Sequence, residues 1–418
     1  MSQQTTATDS AGAIHGLTQP TLSFWQVWNV SFGFLGVQFG FALQNANVSR
    51  ILSDLGADLH SLSLFWLVAP IMGLIVQPLV GSASDRTWNR LGRRKPFILF
   101  GALAAGLGML LMPNAPLFVA FMAPMLFGAL MLALMDASFN VCFQPFRSLV
   151  SDMVPPKQRN IGYSIQSLLI NIGAIVGSIL PFLLTNIIGL ENTAKQGEVA
   201  PSVIWAFYIG ATVLLGTVLW TVLRTKEYAP DKYYAYKGID AQAVAAEQAE
   251  KKTLTQRLKG FWQLMLTMPK TMKQLAIVQF FSWFALFIMW VYTMPAITQN
   301  TWGLEAKWFD PEYLNSLAVI PQHIIEAKGA AGDWVGILFA GYSFFAALFS
   351  IVLAKMADKL GRKLIYATAL LLGGLSYASF SLFTDTTPTS VNLLITEVVV
   401  PAGAVGLFIP MICVGIAW

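Results

Sequence analysis

The sequence predicts an all-α polytopic membrane protein, and three observations carry that reading. Runs of about twenty apolar residues, the length that crosses a bilayer as a helix, recur along the whole chain. The chain is 56% hydrophobic and 11% charged, where a soluble domain carries about 25% charged residues. Its Lys and Arg fall in alternate loops, as the positive-inside bias of membrane proteins requires. Inside lipid the backbone must satisfy its own hydrogen bonds, so runs of this length are helices.

The spans follow in order. Span 1 covers 24–43, with Gly33, Gly36 and Gly40 for close helix packing, and 50–61 is a loop. Span 2 covers 62–80, interrupted by Pro70 and Pro78, and a basic loop follows over 81–96. Span 3 is short, 97–112, fenced by Pro96 and Pro113. Span 4 lies within 117–152, span 5 over 162–188 and span 6 over 203–223. A loop at 224–274 divides the chain, and its middle, 240–259, reads as a helix on the membrane surface. Span 7 covers 275–297, span 8 334–353 and span 9 364–383, with an outer segment over 298–333. A last apolar run, 391–418, makes a tenth span. The domains are then a disordered cytoplasmic tail 1–23, a six-helix bundle 24–223, a cytoplasmic loop 224–274, and a second bundle 275–418. Four spans in the second half leave it two short of the first, so the chain is expected to be truncated.

The loops after spans 2, 4, 6 and 8 hold 22 of the 26 basic residues. That places those loops and the N-terminus in the cytoplasm. The excess of five charges equals that of the 224–274 loop, so the net charge gives no reason to expect nucleic acid. Cys142 and Cys413 both lie in apolar runs, which predicts no disulfide framework. The three histidines lie outside the spans, so no His-based metal site or Ser–His dyad can form in the bilayer, and no enzyme is expected.

Span 4 carries the most informative pattern: Asp136, Asn140, Gln144 and Arg147 deep in apolar sequence. At about 100° per residue, Asn140, Gln144 and Arg147 lie about 40°, 80° and 20° from Asp136, all on one helix face. Ionised groups in a membrane face the protein interior or a wet cavity. A buried Asp–Arg pair that only locks helices is the plain alternative, but two amides on the same stripe fit contact with a hydroxylated solute. Gln38 and Asn45 on span 1 share a face and are candidates for the same cavity. On span 7, Trp290 and Tyr292 are the aromatics best placed to stack on a sugar ring. Glu397 is read as a second buried acid.

The loop after span 2 reads SDRTWNRLGRRK and the loop after span 8 reads ADKLGRKL. Two copies six spans apart indicate a duplicated six-helix bundle. Asp85, Arg86, Gly92, Arg93 and Arg94 in the first copy, and Asp358, Lys359, Gly361 and Arg362 in the second, are expected to build charge latches that gate the cytoplasmic side.

With Gly81, the residues Asp85, Arg86, Gly92, Arg93 and Arg94 resemble the loop signature of the major facilitator superfamily. The lengthened form ending in GRRKPF, the VQFGFALQ of span 1 and the DASFNVCFQPFRSLVSD of span 4 resemble the sucrose and maltose proton symporters of the glycoside–pentoside–hexuronide group. The resemblance implies two six-helix bundles with inverted repeats and proton-coupled symport of a disaccharide by alternating access. It lands the proton-coupling acid on Asp136 and a partner arginine on Arg147. It implies sugar, protons and the lipid bilayer as partners, no cofactor and no metal, and a monomer in a cell membrane, the bacterial inner membrane first. Span 7 ends WVYTMPAI without the acids of plant sucrose carriers, which favours a maltose-type substrate. Span 2 has no carboxylate, and hard cations need such ligands, which disfavours sodium coupling. Carriage of another small solute, such as a drug or organic acid, and a sugar sensor without turnover stay open.

Overall fold

The computed structural model describes residues 18–195, 197–240, 256, 259–260, 263, 266–317, 319–393 and 396–417. Most of the expected tail and nearly all of the expected surface helix at 240–259 lie outside these. The first half contains α1 (Phe24–Asp54), α2 (Leu59–Trp66), α3 (Val68–Arg86), α4 (Lys95–Leu111), α5 (Pro124–Met153), α6 (Arg159–Asn186) and α7 (Pro201–Arg224). A short α8 (Pro230–Lys237) follows. The second half contains α9 (Lys270–Asn300), α10 (Pro311–Ser316), α11 (Gln322–Leu360) and α12 (Arg362–Ser379). It ends in a hairpin of β1 (Pro388–Asn392) and β2 (Glu397–Pro401), then α13 (Ala402–Gly406) and α14 (Phe408–Ala417). Among the described residues, eight helices are long and apolar enough to cross a membrane. α1 is a further long helix, whose Gln, Asn and Ser residues dilute its apolar character.

α1 is the element the others pack on. It touches α5, α6 and α7, and it reaches across to α9 and α11. A capping box starts it: the Ser23 hydroxyl accepts from the Gln26 amide, and the Gln26 side chain accepts from the Ser23 amide. The helix continues well past the expected end of span 1. Gln44, Asn45, Asn47, Ser49 and Arg50 are buried in protein there, so polarity does not end it. Glycines allow the approach of its neighbours. A Cβ on Gly173 or Gly177 of α6 would collide with the Leu35 and Phe39 carbonyls of α1. A Cβ on Gly36 would collide with Thr217 of α7.

The observed boundaries correct several expectations. Residues 112–118 form a 3-10 helix around Pro113 and Pro116, and α5 starts only at Pro124, so the apolar Leu117–Phe121 stretch is not part of that helix. α11 starts at Gln322, twelve residues before the expected span, because its small residues pack on the first half. Residues 18–23 lie outside any helix or strand and are tied down. Gln158 accepts from the Leu22 amide at 2.8 Å and donates to its carbonyl at 2.9 Å, and Gln19 donates to the Asp152 carbonyl at 2.8 Å. The expected tenth span is partly β: Val398, Val399 and Val400 pair antiparallel with Val391, Ser390 and Thr389. β-branched runs favour a strand, and apolarity alone does not separate the two forms. Glu397 lies on that hairpin, exposed, and accepts from the Ser390 hydroxyl; it is not a buried acid.

Overpacking a close helix seam costs about 1–3 kcal/mol. Gly177→Val is therefore expected to lower the thermal midpoint of the detergent-purified protein by several degrees. Gly216→Val, where nothing lies within 4 Å of the added carbon, is expected to leave it unchanged. A thermal-shift assay on both variants checks this.

Candidate functional site

Asp136 is 2% exposed, midway along α5. Its Oδ1 accepts from Gln44 Nε2 of α1 at 2.6 Å. Among the described residues its Oδ2 has no hydrogen-bond partner, and neither does Gln44 Oε1. One turn on, Asn140 Nδ2 donates to the Asp136 carbonyl at 2.8 Å. Asn140 Oδ1 accepts from Gln77 Nε2 of α3 at 2.6 Å, and Gln144 Nε2 donates to Gln77 Oε1 at 3.3 Å. The stripe on α5 is thus a line of amides, laced to α3 through Gln77, that ends on the backbone of Asp136, whose acid group is held separately by Gln44 of α1.

Gln44 and Gln77 are the members that sequence reasoning missed. The Gln38–Asn45 pair drew attention to another face of α1. Gln44 lies about 100° round from Asn45, and that face meets Asp136. Gln38 is half-buried and Asn45 buried, and neither hydrogen-bonds into this chain. Arg147 is exposed and makes no hydrogen bond or ion pair among the described residues. Eleven residues, about 16 Å of helix rise, separate it from Asp136, so the two do not pair.

Aromatic rings run from this chain to the second half. Phe41 of α1 meets Phe139 and Phe143 of α5 edge-on, and meets Trp290 of α9 at 6.1 Å. Trp290 is buried, with Nε1 lacking an acceptor in hydrogen-bond geometry and Tyr342 beside it. Ser49 holds this part of α9 to α1, donating to the Val291 carbonyl at 3.1 Å and accepting from Trp66 Nε1 at 3.0 Å. Tyr292, two residues on, is on the opposite face and exposed. It does not join the site.

The basic end of the first half carries a second cluster. Asp152 of α5 accepts from Arg93 at 2.8 Å and from Arg94 at 3.1 Å, and Asp85 pairs with Arg94 at 2.5 Å. Arg94 also donates to the Ser84 hydroxyl at 2.6 Å. Glu227, after α7, accepts from the backbone amides of Arg93, Arg94 and Lys95 at 2.9–3.0 Å. It caps the start of α4, where free amides and the helix dipole favour a carboxylate. Lys95 in turn donates to the Val222 and Thr225 carbonyls ending α7. Gly92 has φ +117°, and a Cβ there would strike Glu227, so the glycine is required twice over. Tyr233 of α8 accepts from Arg93 and donates to Asp152 at 3.2 Å. Burial works against the Arg93 charge, but Asp152, Tyr233 and Asp85 outweigh it, so its pKa moves up. Burial lowers Lys237 and raises the Tyr233 phenol.

Arg86 stays exposed, outside the cluster. In the second copy, Gly361 repeats the positive φ, at +84°, and Lys359 is exposed. The side chains of Asp358 and Arg362 lie outside the described ones. Sequence reasoning placed Asp85 with the arginines but missed Glu227, whose only signal is an acid just after span 6.

Three comparisons bear on this architecture. The chain is 31% identical over 173 residues to proton-associated sugar transporter A of Mus musculus, covering 40% of this chain and 23% of that one. It is 26% identical over 278 residues to the general alpha-glucoside permease of Schizosaccharomyces pombe, covering 64% and 47%. The chain thus spans less than half the length of these relatives. The solved structure of a mutant of peptide transporter POT in complex with alafosfalin superposes with a TM-score of 0.57 at 16% identity, covering 96% of this chain and 81% of that one. This is a likeness of fold. A family model described as Major Facilitator Superfamily matches residues 30–318. With that match over most of its length, the duplicated glycine corner and the shared helical fold, the chain belongs to the Major Facilitator Superfamily.

Proposed function

We propose that the protein is a secondary active carrier that moves a disaccharide or related glycoside together with a proton. The observation that carries this reading is Asp136: a buried acid that, among the described residues, has one hydrogen bond at its carboxyl group, one unpartnered oxygen and no cation paired to it. Such a group suits reversible protonation better than a structural lock. The amides of Asn140, Gln144 and Gln77, with Asn45 and Gln38 nearby in sequence on α1, suit a neutral polyhydroxyl solute. Trp290 offers its ring and an indole N–H that stands beside Tyr342. The names of the relatives, a proton-associated sugar transporter and an alpha-glucoside permease, point the same way.

In this reading two halves, 24–223 and 275–418, rock about a site near the bilayer midplane, and 224–274 joins them on the cytoplasmic side. The N-terminus and the basic loops face the cytoplasm, the membrane is a cell membrane such as the bacterial inner membrane, and the protein works as a monomer. A proton crossing 100 mV releases about 2.3 kcal/mol, enough for a roughly fiftyfold gradient of a neutral sugar.

The deciding experiment is pH-driven uptake in proteoliposomes against a panel of mono- and disaccharides. Asp136→Asn mimics the protonated acid permanently. It is expected to abolish accumulation above equilibrium while keeping counterflow within about threefold; pH-driven accumulation by this variant would move the coupling group elsewhere. Gln44→Leu removes the one donor to Asp136, and uphill accumulation is expected to fall at least tenfold with counterflow retained.

The basic-end cluster is proposed to set the rate of conformational exchange. Asp85 is 58% exposed at its side chain, so Asp85→Asn should leave the fold intact. It is expected to slow transport several-fold with the half-saturating sugar concentration within about twofold. Loss of sugar binding at an unchanged exchange rate would refute the role.

A further inference from the structure

At the end of the molecule opposite the basic loops, the two halves meet around one buried arginine. Arg50, near the end of α1, is 3% exposed. It donates to Asp333 Oδ1 of α11 at 3.4 Å, to Asn192 Oδ1 of the α6–α7 link at 2.6 Å, and to the Asn192 carbonyl. Asn192 Nδ2 donates to Asp333 Oδ2 at 2.9 Å, so the amide bridges both members of the ion pair. Asp54, one turn on from Arg50, lies 4.0 Å from it. The backbone is brought close to allow this. A Cβ on Gly332 would come within 2.8 Å of Arg50, one on Gly329 within 2.8 Å of the Asn192 carbonyl, and one on Gly336 would collide with the Ser178 carbonyl of α6. The cavity beside Arg50 holds about 60 Å³. That admits a few waters and is far below the roughly 300 Å³ of the smallest ligand pockets. The seam at Arg50 itself leaves no room for a sugar.

We propose that Arg50, Asn192 and Asp333 form the outer latch of the carrier, and that protons arriving from outside at Asp54 or Asp333 release it. The inference rests on the orientation and proton coupling proposed above. The groups facing the latch are Arg50 and Asp54 from α1, Asn192 and Lys195 from the link, Thr185 from α6, and Lys328 and Asp333 from α11. Lys195 is exposed, which leaves Arg50 and Lys328 to balance Asp54 and Asp333. Neutralising either acid leaves a buried cation undercompensated, which a closed seam does not tolerate. Opening lets water reach the arginine. External acid would then both open the outer mouth and supply the transported proton.

The test needs no sugar, so its failure is distinct from failure of the symport reading. In the full chain, Cys142 and Cys413 are replaced by alanine and Ser53→Cys, on the cavity wall, is the reporter. A membrane-impermeant maleimide is added to intact cells. Labelling is normalised to Glu305→Cys on the same end, which removes the effect of pH on thiol reactivity. The expected result is at least a fivefold rise in normalised labelling from pH 7.5 to 5.5. Adding Asp333→Asn should give fast labelling at both pH values, with less than twofold difference between them. Asn192→Ala, which changes no charge, should raise labelling at pH 7.5 at least threefold and covers the case in which Asp333→Asn fails to reach the membrane. Labelling unchanged within twofold by acid, or by both variants, overturns the latch.

Discussion

A bilayer core supplies no hydrogen-bond partner, so each polar group carried into it must be met by protein or be used. That constraint organises this molecule. α1 carries Gln44, Asn45, Asn47, Ser49 and Arg50 through its second half, and all five are buried. It can do so only because other helices wrap it, and they wrap it closely because Gly173 and Gly177 on α6 and Gly33 and Gly36 on α1 let backbones touch. Packing and polarity therefore answer one demand. Asp136 Oδ2 and Gln44 Oε1 are exceptions, left without partners among the described residues, and Phe41 of α1 meets both α5 and Trp290 of α9.

The same constraint separates the two charge clusters. At the basic end, Asp85, Arg93, Arg94, Asp152, Glu227 and Tyr233 all come from elements before residue 240, so their bonds brace one half. At the other end, Arg50 and Asn192 belong to the first half and Asp333 to the second. Breaking a buried pair by removing one partner costs about 3–5 kcal/mol, while separating two halves into water recovers hydration for both charges. A charge cluster inside one half keeps its bonds as the halves move and acts through the stiffness of that half, whereas one across a seam forms and breaks with the seam.

The sequence made the fold legible because lipid simplifies the code. Span count, the alternation of basic loops and the Leu-Gly-Arg repeat all follow from local composition, and the positive φ of both Gly92 and Gly361 matches that repeat. Asp136, Asn140 and Gln144 were legible because helical spacing puts them on one face, while Arg147, on that face by the same count, lies three turns on and is exposed. What was not legible depends on which helix faces which. Gln44 was passed over for Gln38 and Asn45 because nothing within α1 marks the face that meets Asp136. Glu227 reads as one acid in a basic loop until the start of α4 is placed against it. Arg50 read as a loop residue, since a polar run in a membrane protein ordinarily ends a span. The hairpin at 388–401 was hidden by its own apolarity.

The unpartnered atoms suggest how a proton and a sugar can depend on each other at the proposed site. A charged Asp136 is an acceptor only, and its free Oδ2 stands with a second free acceptor, Gln44 Oε1. Adding a proton turns one acceptor into a donor and removes a charge that burial opposes. The site then offers an acid hydroxyl, an amide carbonyl and, across the Phe41 ring, an indole N–H. A sugar hydroxyl both donates and accepts, so it can satisfy such a mixed set in one geometry. Each bond the sugar makes to the protonated form makes that form harder to lose. By linkage the proton then strengthens sugar binding by the same factor. Coupling on this view needs no distant relay. It follows from leaving a buried acid and its amide incompletely bonded in a place where the transported solute can complete them.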